Sequence, residues 1–267
     1  MNKMDKALRE IGEMDELAAR SSPIHDLCAL AKLLATIAYI ITVVSFDKYD
    51  LSGLVPLLLW PVLLFAISGI PVHTCFYKLR IVLPLVMAVG LFNPLFDRHI
   101  ILRLGTLAVS GGTVSMLTLM LKGVLCLMAS FLLVATTPFD SICAALRKLR
   151  VPKTLVTLLL LTYRYVGVMT EELAVMTDAY HLRAPGQKGI HVSAWGSFLG
   201  QLLLRSMDRA EELYASMKLR GYHGDFPTGR PERLTARDLS LLGGGLLLLF
   251  ALRYLPLAEA LGRLIVR

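Results

Sequence analysis

The chain has 267 residues, is 55% hydrophobic with a mean hydropathy of +0.63, and carries a formal charge of +8. Few water-soluble domains of this length hold so much apolar surface, so the composition argues against an ordinary soluble enzyme and for a bilayer. Within Pro138–Arg237 there are fourteen Lys/Arg against nine Asp/Glu, which is +5 of the +8. These basic residues alternate with apolar ones rather than forming an arginine-rich block, a pattern of cytoplasmic segments beside membrane spans and not of nucleic-acid binding.

Residues 1–22 read as a cytoplasmic N-terminal segment, because Met1–Arg20 is charged throughout and lacks the apolar core of a signal peptide. Residues 23–136 hold four expected spans. Ser22-Pro23 supplies a cap and a first-turn proline for Cys28–Phe46, in which Lys32 is placed to snorkel. Asp47–Asp50 forms an external loop, and Leu51–Gly69 follows, kinked by Pro56 and Pro61 with neighbouring helices satisfying the freed carbonyls. Pro71–Arg80 reads as a cytoplasmic turn, and Ile81–Phe96 as a third span ending at Asn93-Pro94. From Asp97 to Gly112 the apolar runs are too short to cross and are broken by glycine, giving an external hairpin or a shallow helix. Thr113–Ala135 is the fourth span and places Lys122 about 15 Å in, near the midplane. An ionisable group there is either functional or a lysine that faces other helices and snorkels.

Residues 137–224 form a cytoplasmic or interfacial helical module. Thr137, Pro138 and Asp140 make the start of a short basic helix that Val151-Pro152 stops. Lys153–Arg183 reads as one long helix skirting the inner membrane surface, since its apolar run is short for a span and carries Arg164. Ile190–Lys218 is amphipathic, with Trp195, Phe198 and Leu202 on its apolar stripe and Arg205, Arg209 and Glu212 opposite. That stripe, with Arg164 and Lys122, is a candidate subunit interface. Residues 225–237 are a polar linker, and 238–267 hold the last span, Leu239–Leu255, whose Gly243-Gly244-Gly245 run admits a close neighbour.

No phosphate-binding G-x-x-x-x-G-K-[ST], nucleophile-elbow G-x-S-x-G or zinc-binding H-E-x-x-H occurs, so nothing in the chain argues for catalysis. Glu171-Glu172 and Glu211-Glu212 lie on charged helix faces beside basic residues and read as solvated charge. The cysteines Cys28, Cys75, Cys126 and Cys143 are far apart and read as buried apolar groups. No histidine spacing suits a metal, so no cofactor is expected in this chain.

Two segments end alike. Leu182-Arg183-Ala184 closes one helix, and Leu219-Arg220-Gly221 closes another 37 residues later. An arginine at such an end either complements the helix dipole or offers a planar fork to a partner's carboxylate.

These endings, with Thr136-Thr137-Pro138, the run Ala145–Pro152, Tyr163-Arg164-Tyr165 and Glu171-Glu172-Leu173, resemble the T component of energy-coupling-factor transporters, most of all the cobalt-type CbiQ family. The likeness runs from about Lys32 to Tyr222 and is densest from Thr136 onward. It implies an all-α, multi-pass protein of about five transmembrane helices with cytoplasmic coupling helices, in a bacterial inner membrane with its N-terminus inside. It also implies a non-enzymatic scaffold joining two ABC-type ATPase subunits, which bind the ATP, to a substrate-binding membrane subunit. Cobalt is the implied substrate, with nickel close behind and vitamins further off. The family's two Ala-Arg-Gly motifs dock into grooves on the ATPases. Here Leu replaces Ala in both, and Ala184 replaces Gly in the first. The other readings are a conventional ABC permease, whose Glu-Ala-Ala…Gly loop is incomplete here, and a lipid-headgroup transferase, whose clustered aspartates are missing.

Overall fold

A computed structural model describes residues 12–96, 100–104, 107–187, 189–224 and 235–254. The elements are α1 (Ala29–Val44), α2 (Leu51–Leu54), a 3-10 turn (Val55–Leu58), α3 (Leu59–Ser68), α4 (Val72–Phe96) and α5 (Gly111–Thr136), then α6 (Phe139–Lys148), α7 (Lys153–Arg183), α8 (Trp195–Leu219) and α9 (Ala236–Tyr254). Between α4 and α5, β1 (Ile100–Leu104) pairs antiparallel with β2 (Leu107–Ser110), the hairpin alternative for a stretch too short and too interrupted to cross. Among the described residues the fold is therefore helical apart from one short hairpin.

The chain divides into two compact units, the described parts of Asp15–Pro138 with Glu232–Arg267, and of Phe139–Pro231 with Met1–Met14. In the first, two helical stretches are long and apolar enough to cross a membrane, Leu51–Ser68 and Gly111–Thr136. A third qualifies if the two arms of α4, bent by 58°, count as one span. Ala29–Val44 is apolar but shorter, and α9 carries Arg237, Asp238 and Arg253 within 19 residues.

Helix α4 corrects one expectation. Pro71–Arg80 is not a turn, because helix starts directly behind Pro71, whose carbonyl accepts from the Thr74 N–H at 3.0 Å. Lys78 and Arg80 therefore lie on the helix. Pro84, with no N–H for the Arg80 carbonyl, accounts for the bend between Val72–Arg80 and Val82–Pro94. Further along, the helix continues through Pro94 to Phe96.

The other proline effect is as expected, and the structure supplies the partner. Pro61 cannot bond the Leu57 carbonyl four residues back, and the buried Tyr39 hydroxyl donates to that oxygen at 3.0 Å. Tyr39 also stacks on Trp60 at 6.5 Å, within a core that includes Val43, Leu54, Leu125 and Leu249. Of the triple glycine, only Gly245 is a point of close approach: a methyl there would lie 2.6 Å from the Trp60 ring.

Cations close the helix ends in this unit. Lys32 does not snorkel: it is buried, and its Nζ donates to the Thr136 carbonyl, the last of α5, at 2.8 Å and to the His25 carbonyl at 3.2 Å. Lys122, from α5, donates in return to the Val44 and Phe46 carbonyls at the end of α1, at 3.2 and 2.5 Å. Arg253 joins it there, donating to the Ser45 carbonyl at 3.3 Å with its guanidinium 4.0 Å over the Phe46 ring. Each lysine thus neutralises the negative C-terminal end of the other's helix. At the opposite pole, Ser22-Pro23 does not cap α1, and Ser22 instead bonds His25 Nδ1 at 2.7 Å. The carboxylate comes from the far end of the chain: Asp238 accepts from the Cys28 N–H at 3.0 Å and from the Thr235 N–H at 2.8 Å, serving the starts of α1 and α9 together.

In the second unit α6 packs on α7 through Cys143, Val156 and Leu160, and Phe139 stacks on Tyr163 at 4.2 Å. Burial, then the neighbouring Asp140 charge, pushes the Cys143 thiol above its ordinary range. Thr137 does not cap α6, since its Oγ1 is buried with no hydrogen-bond partner among the described residues. The helix ends in a Schellman turn, with the Val151 N–H on the Leu146 carbonyl and Arg150 at φ +63° in the glycine-like position.

Candidate functional site

The two Leu-Arg-small endings fall in this second unit, at the ends of its two long helices. Helix α7 runs from Lys153 to Arg183, the bounds read from Pro152 and from Ala184-Pro185-Gly186. Helix α8 starts at Trp195, behind a 3-10 turn at Val192–Ala194, and ends at Leu219.

At the end of α8 the backbone supplies its own caps. Gly221 takes φ +83°, which lets its N–H reach the Lys218 carbonyl and the Tyr222 N–H reach that of Met217, both at 3.0 Å. That is a Schellman turn with Arg220 as its capping residue. At the end of α7, Ala184 lacks that freedom and sits at φ −126°, so the left-handed step waits for Gly186 at φ +92°. A side chain replaces the missing turn: the Tyr180 hydroxyl donates to Gln187 Oε1 at 2.9 Å and accepts from the His191 N–H at 3.1 Å. Tyr180 is a residue that sequence reasoning missed, because its partners lie seven and eleven residues on and follow no helical spacing.

Both Arg183 and Arg220 are exposed, and neither side chain bonds or pairs with another described residue. The Ser216, Met217 and Lys218 carbonyls of α8 accept from backbone N–H groups, and the Arg220 guanidinium makes no capping bond among the described residues. Other arginines of these helices are engaged. Arg205 pairs with Glu172, tying α8 to α7, and Arg209 pairs with Glu212 at 3.3 Å. Glu172 and Glu212, one from each glutamate pair, thus serve helix-face ion pairs, and Arg205 is exposed as its helical position implies.

The remaining candidates divide between the units. Lys122, in the first, is occupied at the end of α1. In the second, Arg164 and Trp195 are exposed while Phe198 and Leu202 are half-buried, and Trp195 meets Phe198 edge to face at 6.3 Å. Helix α8 buries only Met217 among its described residues. Between α7 and α8 lies an apolar groove of about 420 Å³, lined by Leu158, Leu161, Tyr165, Leu213, Tyr214 and Met217. Among the described residues, no group of three His, Cys, Asp or Glu side chains converges as metal ligands would.

Helices this apolar, with side chains such as Ile41, Leu85, Phe92 and Leu247 turned outward, define an integral membrane protein. The chain belongs to the CbiQ family, described as cobalt transport protein, whose profile matches residues 20–231. It is 35% identical to the cobalt transport protein CbiQ of Rhodobacter capsulatus over 96 residues, 35% of this chain and 38% of that protein. To the nickel permease LarQ of Lactiplantibacillus plantarum it is 31% identical over 103 residues, 39% of this chain and 38% of the relative. A longer match, 25% identical over 234 residues, covers 81% of this chain and 86% of the energy-coupling factor transporter transmembrane protein EcfT of Limosilactobacillus fermentum. The chain spans less than half the length of the curated relatives it matches first.

Proposed function

We propose that this chain is the energy-coupling transmembrane component of an ECF-type importer. It transmits ATP-driven motion from two ABC-type ATPase subunits to a substrate-binding membrane subunit, and it catalyses nothing itself. Family membership supports the reading, and the observation that carries it is the pair of exposed, unpaired arginines at the ends of α7 and α8. The six docking positions are Leu182, Arg183, Ala184, Leu219, Arg220 and Gly221. Trp195, Phe198, Leu202 and Arg164 are proposed to face the substrate-binding subunit. Lys122, placed with them by its depth alone, has its ammonium engaged within the chain.

In the proposed topology five spans cross the cytoplasmic membrane, with the N-terminus and residues 137–237 inside. Cobalt is the proposed cargo, supported by the family and by the CbiQ relative, and the LarQ relative makes nickel the competitor to test. Purification from membranes in mild detergent, with identification of what accompanies the chain, tests the assembly. Two ATPases and a small membrane protein are the expected companions, and a solitary chain would contradict the reading. Cells lacking the chain should lose ATP-dependent uptake of radiolabelled cobalt.

A further inference from the structure

The chain crosses between its two units three times, after Met14, after Pro138 and after Pro231. Within four residues of each crossing, on the first unit's side, a backbone group is bonded into one cluster at the start of α1. Near the first crossing, His25 Nε2 donates to the Leu17 carbonyl at 3.1 Å. At the second, Lys32 Nζ holds the Thr136 carbonyl, and the same ammonium holds the His25 carbonyl. At the third, Asp238 Oδ2 accepts from the Thr235 N–H while its Oδ1 accepts from the Cys28 N–H, directly before α1.

Lys32 and Asp238 are both buried, and they line one cavity of about 50 Å³ together with Thr36 and Thr136. Apolar residues of similar volume often pack such a spot at least as stably, so what the charges add is directed bonds. The opposite end of α1 supplies the contrast. Lys122 and Arg253 bond the Val44, Ser45 and Phe46 carbonyls there, but no crossing lies nearby and the chain runs on into α2 of the same unit.

We propose that the first turn of α1 is the fulcrum of energy coupling, pinning through Lys32, His25 and Asp238 all three connections between the coupling helices and the spans. This rests on the coupling reading above and adds the joint at which movement is passed on. A pinned joint turns the spans as one body, whereas a loose one absorbs the stroke in the connections. Lys32 and Asp238 are thus positioning residues, acting through the backbone of Thr136 and Thr235.

The test uses the whole complex, purified from membranes and reconstituted in vesicles, with ATP hydrolysis and uptake of radiolabelled cobalt followed on one sample. Lys32→Met removes both ammonium bonds, and Asp238→Asn leaves one carbonyl acceptor for two amides. Both variants should hydrolyse ATP at nearly the parental rate. The cobalt carried per ATP should fall roughly tenfold or more, the factor expected for losing one hydrogen bond to a charged group. Lys32→Arg should restore most of the ratio, and Arg253→Gln, which loosens α1 and α9 at the far end, should keep the parental value. A second measurement needs no variant: amide exchange at Cys28 and Thr235 in the parent complex should be equal with and without a non-hydrolysable ATP analogue. Protection lost on adding the analogue, parental cobalt per ATP in Lys32→Met and Asp238→Asn, or an equal fall in Arg253→Gln would each overturn the fulcrum. ATP-driven uptake by the parent would still leave the coupling reading standing. A parent complex whose uptake of cobalt and nickel ignores ATP would sink both.

Discussion

At the end of α8 a glycine at φ +83° folds the chain over its own carbonyls, and Arg220 is set by backbone bonds alone. At the end of α7 the corresponding residue is Ala184, and Arg183 is followed by a loop held through the Tyr180 hydroxyl, Gln187 and the His191 N–H. The same Leu-Arg pair is thus presented on two supports, one local and one dependent on a side chain that reaches across a loop. A helix ending without the glycine of its counterpart can therefore be fixed where a neighbouring side chain supplies the missing bonds.

Substitutions at the two ends should separate these supports. The largest effect belongs to the guanidinium. Arg220→Ala should weaken ATPase association by about 2–5 kcal/mol, the usual cost of stranding one member of a desolvated charge pair, and Arg220→Lys should restore only part of it because the planar fork is lost. Next comes the glycine. Gly221→Ala forces a side chain into the left-handed region at a cost of about 1–2 kcal/mol, loosening the Arg220 end and sparing the Arg183 end. Amide exchange at position 221 and at Tyr222 should rise while that at Ala184 stays unchanged.

Tyr180→Phe should do the converse at roughly 1 kcal/mol, the net worth of a typical hydrogen bond. Exchange at His191 should speed up, and association should weaken through Arg183 only. A defect in Gly221→Ala that also loosened α7 would break the comparison. The smallest effect is expected for Arg209→Ala, which removes an exposed pair three residues apart and should change association by less than about 0.5 kcal/mol. Arg205 is the wrong control, because its alanine variant also unties α8 from Glu172 of α7.

Much of this site was legible in the sequence because it rests on local chemistry. Pro152 and Ala184-Pro185-Gly186 bound α7, and Gly221 marks the end of α8. The need for a donor at the carbonyl freed by Pro61 also follows from the chain alone. Its identity, Tyr39, does not, since the donor sits on another helix. The same holds for Asp238, which bonds the start of α1 from 210 residues away, and for Lys32 and Lys122, each capping the other's helix. Side chains that close distant helix ends leave no period to read. The missed continuity of α4 has a different cause: Lys78 and Arg80 carry the polarity of a turn while their backbone stays helical.

The central claim, that Arg183 and Arg220 couple ATP hydrolysis to transport, is tested most directly by cobalt uptake in cells carrying the double Arg183→Ala, Arg220→Ala chain at membrane levels matched to the parent. Uptake should be abolished, and the loss should exceed that of either single variant. Parental uptake by the double variant would contradict the claim and leave the two arginines no more than favourable charges at helix ends.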